Sequence, residues 1–144
     1  MIARFETFTV LINRISRNIR KIKNQEMAEY DLRSPHISCL YYLYSSQSLT
    51  ASELCELCEE DKATISRSLD FLEKNGYIIR EPKGERRYKS PLLLTEEGRS
   101  VAEKIAGKID RVLEEVSVGL TDEERAAFYR SLAIISKKLE EIWE

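Results

Sequence analysis

Apolar residues recur at helical spacing towards both ends of the chain. In residues 2–24 they alternate at intervals of three and four, a heptad-like seam formed by Phe5, Phe8, Ile12, Ile15, Ile19 and Ile22. After Thr95 a second stripe contains Val101, Ile105, Ile109, Val112 and Val116. A third stripe near the end contains Phe128, Leu132, Ile135, Leu139 and Ile142. The pattern predicts long amphipathic helices that flank a middle region of shorter elements.

Capping residues mark where the helices are expected to begin. Ser34 before Pro35 predicts an N-cap followed by a proline in the first turn. Residues 50–53 and 121–124 each place Thr three positions before Glu, which is the capping-box pattern. Asp61 predicts the cap of a helix that ends at Asn75-Gly76. Within the short helix after Thr50, the inward side chains are expected to be Leu54, Leu57 and Cys58.

Strand-forming residues follow this helix. Residues 77–80 and 86–94 are predicted to pair around a turn at 81–84, with an edge or bulge at Pro91. A short helix, a tight turn, a second helix and then a basic hairpin form a winged helix-turn-helix. The predicted fold class is therefore mainly α with a small β-hairpin. A winged helix-turn-helix lobe (34–95) and a helical dimerisation region (1–33 and 96–144) are expected to make up a single domain, 1–144.

Charge is distributed unevenly along the 144 residues. The whole chain carries a net charge of −2, yet residues 62–89 contain eight basic and four acidic side chains, which indicates a local surface for a polyanion.

No segment approaches the roughly 20 apolar residues of a membrane span. Polar residues interrupt the N-terminus at Glu6, Asn13 and Arg14, so neither a signal peptide nor a membrane partner is expected and the predicted location is cytoplasmic. The three cysteines are then expected to be reduced thiols.

The helix at 62–75 has two different faces. Ile65, Leu69 and Leu72 fall together and are expected in the core, whereas Ala63, Arg67, Asp70 and Lys74 fall opposite. In a helix-turn-helix the N-terminal half of the second helix reads DNA bases. Arg67 suits guanine and Ala63 suits a thymine methyl, while the candidates for phosphate are Lys62, Thr64 and Ser66. The wing, 80–90, adds four basic candidates suited to a phosphate backbone or minor groove, namely Lys83, Arg86, Arg87 and Lys89.

These motifs together resemble the MarR family of bacterial regulators over essentially the whole chain. The resemblance rests on the order of the runs 50–57 (TASELCEL), 62–77 (KATISRSLDFLEKNGY), the wing, and 94–98 (LTEEG). It implies a homodimer that binds double-stranded DNA at a pseudo-palindromic operator, usually as a repressor. Ser66 and Arg67 match the family's polar-plus-arginine position, and Arg87 best matches the wing arginine. Residues 87–95 are about one residue longer than the family's pattern, which leaves open whether Arg86 or Arg87 enters the groove.

The long stripes also favour dimerisation on physical grounds, because three such helices expose more apolar face than one short chain covers. Two-fold symmetry would separate the recognition helices by about 34 Å, one turn of DNA. Relatives often bind small aromatic or anionic molecules between the DNA-binding lobe and the dimer helices. His36, Tyr41 and Tyr44 are the candidates here, and such a ligand would act by favouring one spacing of the lobes.

Other interpretations remain open at the level of sequence. His36, Cys39, Cys55 and Cys58 are soft ligands that would suit zinc, although Cys55 and Cys58 also suit packing, so a cysteine- or zinc-responsive regulator of the same fold is an alternative. A helical protein-interaction module without DNA binding is another. An enzyme is not expected, because the chain has one His and no glycine-rich phosphate loop. We expect no cofactor and no bound metal.

Overall fold

The computed structural model describes residues 3–46, 48–58, 60–80 and 90–143. A π-helical segment, Glu6–Leu11, leads into α1, and a single 3-10 turn, Ala28–Tyr30, precedes α2. The helices are α1 (Ile12–Glu26), α2 (Ser34–Ser45), α3 (Ala51–Cys58), α4 (Lys62–Lys74), α5 (Glu96–Val116) and α6 (Asp122–Ile142). Two antiparallel strands, β1 (Ile78–Arg80) and β2 (Leu92–Leu94), lie between α4 and α5. The mainly helical fold with a small hairpin is confirmed.

Both predicted capping boxes form. At α3 the Thr50 amide donates to Glu53 Oε1 at 3.1 Å, and the Glu53 amide donates to Thr50 Oγ1 at 3.2 Å. At α6 the Thr121 amide donates to Glu124 Oε1 at 3.0 Å, and the Glu124 amide donates to Thr121 Oγ1 at 3.1 Å. Each pair satisfies two backbone donors that the first helical turn leaves without carbonyl partners.

The predicted cap of α2 is wrong by one residue. Arg33 is the N-cap and Ser34 is already the first helical residue. The Arg33 amide donates to His36 Nδ1 at 3.0 Å, and the Ser34 amide donates to Asn24 Oδ1 at 2.8 Å. Asn24 lies ten residues earlier, in α1, so a rule based on neighbouring residues could not identify it as the acceptor.

The core of the first compact unit, Met1–Gly107, lies among α2, α3, α4 and the strands. Its fully buried side chains come from each of these elements and include Leu40, Leu54, Ile65, Leu69, Leu72, Ile78 and Leu92. Burying one such side chain contributes ~1.5–3 kcal/mol, so this core fixes α4 firmly against α2 and α3.

One inward prediction for α3 is wrong. Leu54 is fully buried, but Leu57 is 43% exposed. Cys58 is half-buried instead, and a residue one step away on a helix is rotated by about 100°. Leu57 therefore points away from the core.

The hairpin has a third member that the sequence did not predict. The Leu92 amide donates to the Leu49 carbonyl at 2.9 Å, so the linker between α2 and α3 pairs with β2 on the side away from β1. Pro91 lies just before β2, where its missing amide costs no ladder hydrogen bond. This pairing ties the base of the hairpin to the start of α3.

The second compact unit, Lys108–Glu144, contains the end of α5 and all of α6. Ser117 is buried where the two helices are joined, whereas the large apolar residues of α6 are exposed to different extents. Among the residues that the structure describes, no helix has the length and apolar character needed to cross a membrane.

Candidate nucleic-acid interface

The two faces of α4 are separated as the sequence predicted. Ile65, Leu69 and Leu72 are completely buried. The N-terminal half of the opposite face is open to solvent, with Thr64 half-buried at its margin and Lys62, Ala63, Ser66 and Arg67 exposed. Polar side chains are therefore presented on a helix that its apolar face holds in place.

Asp61 fixes the first turn of this helix. Its Oδ1 accepts the Thr64 amide at 2.6 Å, which confirms the predicted cap. The hydrogen bonds from Thr64 lower the pKa of the Asp61 carboxyl, and the nearby Arg67 charge lowers it further. The negative carboxylate thus lies at the positive end of the helix dipole, where it stabilises the helix.

The side chain of Arg67 runs back along its own helix. Its Nη2 donates to Thr64 Oγ1 at a long 3.4 Å, and both groups are accessible to solvent. Such a contact between exposed groups is weak, so the guanidinium is able to exchange it for a stronger acceptor.

Ser68, by contrast, belongs to the structural face. It is 4% exposed, and its hydroxyl donates to the Thr64 carbonyl at 2.8 Å. Ser68 was not among the residues predicted for the core of this helix. Its position between Ile65 and Leu72 at helical spacing was the available signal.

Arg80 at the end of β1 pairs with the acidic residues of α4. Its guanidinium lies 3.4 Å from Asp70 Oδ1 and 3.4 Å from Glu73 Oε2, and its side chain is 13% exposed. Arg80 therefore holds the base of the wing against the second half of α4. The same contacts offset acidic charge on the helix that carries Arg67.

A second contact fixes the other side of the hairpin base. The Thr95 hydroxyl donates to the Gly76 carbonyl at 2.6 Å and accepts the Gly98 amide at 2.9 Å. Gly76 ends the α4 turn with a φ of 80°, which a residue with a side chain rarely adopts. Gly98 is equally constrained, because a Cβ on it would lie 1.9 Å from the Tyr77 carbonyl oxygen.

The predicted wing residues Lys83, Arg86, Arg87 and Lys89 lie outside the described residues. Their contact with DNA stays a prediction, as does the choice between Arg86 and Arg87 for the groove.

The three candidate ligand residues have different surroundings. His36 stacks on Phe71 of α4 with ring centroids 4.4 Å apart, while Tyr41 meets Tyr42 edge-on at 5.7 Å. Burial lowers the pKa of His36, and its Nδ1 already accepts the Arg33 amide. His36 is thus a neutral packing and capping group. Tyr41 and Tyr44 are half-buried on α2, and all three remain candidates by prediction.

The zinc alternative receives no support from the residues that the structure describes. Among them, no group of three or more His, Cys, Asp or Glu side chains is arranged to hold a metal ion. Cys39 is buried, and Cys55 and Cys58 are half-buried.

Comparison with known proteins agrees with a helix-turn-helix built around α4. A family model described as the MarR family matches residues 32–88. The helix-turn-helix transcriptional regulator YwoH of Bacillus subtilis is 30% identical over 117 residues, which cover 81% of this chain and 85% of YwoH.

Solved structures share the winged-helix fold. NMB1585, a MarR family regulator from Neisseria meningitidis, has a TM-score of 0.81 at 21% identity, covering 98% of this chain and 96% of that one. MepR of S. aureus, in its complex with DNA, has a TM-score of 0.81 at 22% identity, covering 92% and 97%. The chain belongs to the MarR family of helix-turn-helix transcriptional regulators.

Proposed function

We propose that the protein is a sequence-specific DNA-binding repressor that occupies a pseudo-palindromic operator as a homodimer. The observation that carries this proposal is the exposed N-terminal half of α4, backed by a fully buried apolar face. MepR, which shares the fold, forms a complex with DNA. In the proposed arrangement, residues 34–95 form the DNA-binding lobe, and residues 1–33 and 96–144 form the dimerisation region of a single domain.

Base recognition would come from α4 itself. Arg67 has the reach and the paired donors to bind the N7 and O6 of guanine, and Ala63 offers a methyl group to thymine. Lys62, Thr64 and Ser66 would bind phosphates and fix the register of the helix in the major groove. The wing, residues 80–90, would add Lys83, Arg86, Arg87 and Lys89 along the backbone or in the minor groove.

The homodimer is supported by an apolar stripe that remains exposed on the N-terminal helix. Phe5 is 72% exposed and Ile15 is 51% exposed, and Phe8, Ile12 and Ile19 lie between 40% and 49%. These are the positions of the heptad-like seam, which is the pattern by which helices of separate chains pack. A contiguous apolar surface of this kind marks a protein interface in a soluble chain.

A small aromatic or anionic ligand would relieve repression by favouring a lobe spacing that no longer fits the operator. His36, Tyr41 and Tyr44 are the proposed contacts. The half-burial of the two tyrosines on α2 supports their part in such a site.

The DNA proposal is tested by titrating the protein into labelled DNA that flanks its own gene, at several salt concentrations. Arg67→Ala should weaken specific binding by about 5- to 150-fold, the range for one bidentate arginine–guanine contact. Arg130→Ala, which removes the same charge from an exposed position of α6 outside the proposed DNA contacts, should leave affinity within about twofold, because an exposed charge that does not contact DNA acts only through a screened field.

Specific binding whose affinity falls steeply with salt supports the proposal. Equal affinity for operator and random DNA without a salt dependence would contradict it and favour a protein-interaction module. Expression from the operator, measured with a reporter, should rise when the regulator gene is deleted. A fall would show an activator instead.

The dimer is tested by sedimentation or light scattering, since one chain has a mass of 16.8 kDa. Ile15→Glu places a charge in the centre of the exposed stripe and should shift the protein towards monomer. Arg17→Glu changes a neighbouring position on the polar side of the same helix and should remain dimeric. A monomeric wild type at micromolar concentration would refute the dimer.

A further inference from the structure

Two neighbouring side chains at the end of α1 join it to α2. Asn24 Oδ1 accepts the Ser34 amide at 2.8 Å. Lys23, half-buried, donates from its Nζ to the Ser38 hydroxyl at 3.2 Å. Ser34 and Ser38 lie about one turn apart on α2. The two hydrogen bonds therefore fix the direction of α2 relative to α1 as well as the position of its first residue.

The turn between α1 and α2 is short and held in place. Met27 and Leu32, on either side of it, are each 2% exposed. Asp31 lies in the left-handed region with a φ of 57°, which Asp adopts more readily than most residues. From α5, Lys104 Nζ donates to the Tyr30 hydroxyl at 3.3 Å. The turn is thus a fixed connection, and it joins α2 to both segments of the proposed dimerisation region.

The start of α2 also contacts the recognition helix, α4. His36, in the first turn of α2, stacks on Phe71 of α4 with ring centroids 4.4 Å apart and an angle of 21° between the rings. Leu40 of α2 and Leu69 of α4 are both completely buried in the core of the same unit. Close-packed interiors deform little, so a tilt of α2 carries α4 with it.

We propose that Asn24 is a positioning residue that sets the spacing of the two recognition helices in the dimer. The partner chain holds the apolar seam of α1, and the Asn24 hydrogen bond holds α2, with α4 packed on it, at one angle to α1. Without that bond the lobe tilts, and the two copies of α4 lose their fixed separation. The inference rests on the proposed function, because spacing matters only to a dimer that binds two half-sites.

Asn24 carries this role better than the two lysines. Its hydrogen bond is the shortest of the three, and it satisfies a backbone amide in the first turn of α2, where no carbonyl of the same helix is available. Lys23 and Lys104 reach their partners through long stems that lose rotamer freedom when they are held in place. A short side chain with two rotatable bonds fixes a helix more strictly.

The hydrogen bond is tested by amide hydrogen exchange, read at Ser34 by NMR on the full chain. Asn24→Ala should speed this exchange by roughly five- to tenfold, the effect of losing one hydrogen bond. Asn24→Asp keeps an oxygen acceptor, and its charge suits the start of α2, so exchange should stay at the wild-type rate. Asn13→Ala, at an exposed position earlier on α1, is the matched control and should also leave it unchanged. Unchanged exchange in Asn24→Ala would overturn the proposal.

Spacing is tested with operator DNA in which base pairs are added or removed at the centre of the site. Each base pair moves one half-site by ~3.4 Å along the axis and turns it by roughly 35°. Wild type and Asn24→Asp should lose about tenfold or more in affinity one base pair from the preferred spacing, because a rigid dimer then engages one half-site at a time. Asn24→Ala should bind the preferred spacing several-fold more weakly, and its affinities for the different spacings should agree within about threefold.

A purely stabilising role for Asn24 gives a different profile. It would weaken binding by the same factor at every spacing, because only the fraction of folded protein changes, and that result would overturn the positioning role. Thermal melts of each variant measure the folded fraction at the temperature of the titration.

The separation of the two α4 helices is also measured without DNA, by electron paramagnetic resonance between spin labels. A noncanonical amino acid at position 74, the exposed end of α4, carries the label and leaves the native cysteines unchanged. Wild type and Asn24→Asp should give one narrow distance distribution, and Asn24→Ala a broader or shifted one. Identical distributions would overturn the proposal.

Failure of the proposed function has its own signature. If wild type binds no DNA site specifically, that function fails, while amide exchange and the label distances still decide whether Asn24 positions the lobe. A monomeric wild type, which gives no distance between labels, would overturn both the dimer and the positioning role.

Discussion

Replacing Gly98 with alanine should destabilise the protein although the change is to a better helix former. The new methyl carbon would lie 1.9 Å from the Tyr77 carbonyl oxygen and 2.9 Å from the carbonyl carbon. Non-bonded heavy atoms prefer separations of ~3.5 Å, so the start of α5 and the Tyr77 backbone must separate by more than ~1 Å. Backbone lies on both sides of this contact, and a change of rotamer cannot relieve it.

The separation would also strain the hydrogen bonds that join α5 to the end of α4. The Thr95 amide donates to the Tyr77 carbonyl at 3.0 Å, and the Thr95 hydroxyl donates to the Gly76 carbonyl at 2.6 Å. Overpacking costs ~1–3 kcal/mol and each weakened hydrogen bond ~1 kcal/mol, against ~1 kcal/mol gained from alanine in a helix. We expect a net loss of about 2–4 kcal/mol in the free energy of unfolding.

The measurement is urea unfolding followed by circular dichroism at one fixed protein concentration, because the stability of the proposed dimer would depend on concentration. Gly107→Ala is the matched control: it lies on the same helix with nothing within 4 Å of its added Cβ. It should stabilise by up to ~1 kcal/mol. If Gly98→Ala is as stable as Gly107→Ala, the argument from close backbone approach is refuted.

Two further predictions concern helix caps and pH. Asp61→Ala should lower the melting temperature by a few degrees, because the Thr64 amide loses its acceptor, while Asp61→Asn should retain most of the stability. Since the folded pKa of Asp61 is lowered, its wild-type contribution is present above the unfolded pKa of about 3.8 and is lost as pH falls through the folded pKa. The asparagine variant should lack that loss in acid melts. For His36, whose folded pKa is below the unfolded 6.5, stability should be complete above about pH 6.5 and fall as pH drops to the folded value. His36→Asn retains an acceptor for the Arg33 amide. In melts at several pH values this variant should lose the dependence of melting temperature on pH that His36 causes. An unchanged dependence would show that another group titrates.

Local sequence rules were most accurate where the interacting groups are close in the chain. The capping boxes at α3 and α6, the Asp61 cap and the division of α4 into two faces all depend on residues three or four positions apart. Those spacings are fixed by the helix itself. The seam on the N-terminal helix was predictable for the same reason, and its exposure is consistent with a partner that covers it.

The tertiary structure decided what depends on groups distant in sequence. Asn24 of α1 accepts the Ser34 amide at the start of α2. Leu49 pairs with Leu92 of β2, and Arg80 forms ion pairs with Asp70 and Glu73. The glycine at 98 was visible in a family motif, but only the approach of Tyr77 shows why a side chain is excluded there.

The cysteines also show which properties the sequence determined and which the tertiary structure decided. The sequence determined that three cysteines lie in or beside the helix-turn-helix, and their spacing drew attention to Cys55 with Cys58. The packing of α2 on α3 decided instead that Cys39 is buried whereas Cys55 and Cys58 are half-buried. Helical periodicity determines which face a residue occupies, but only the packing of one helix on another determines what that face meets.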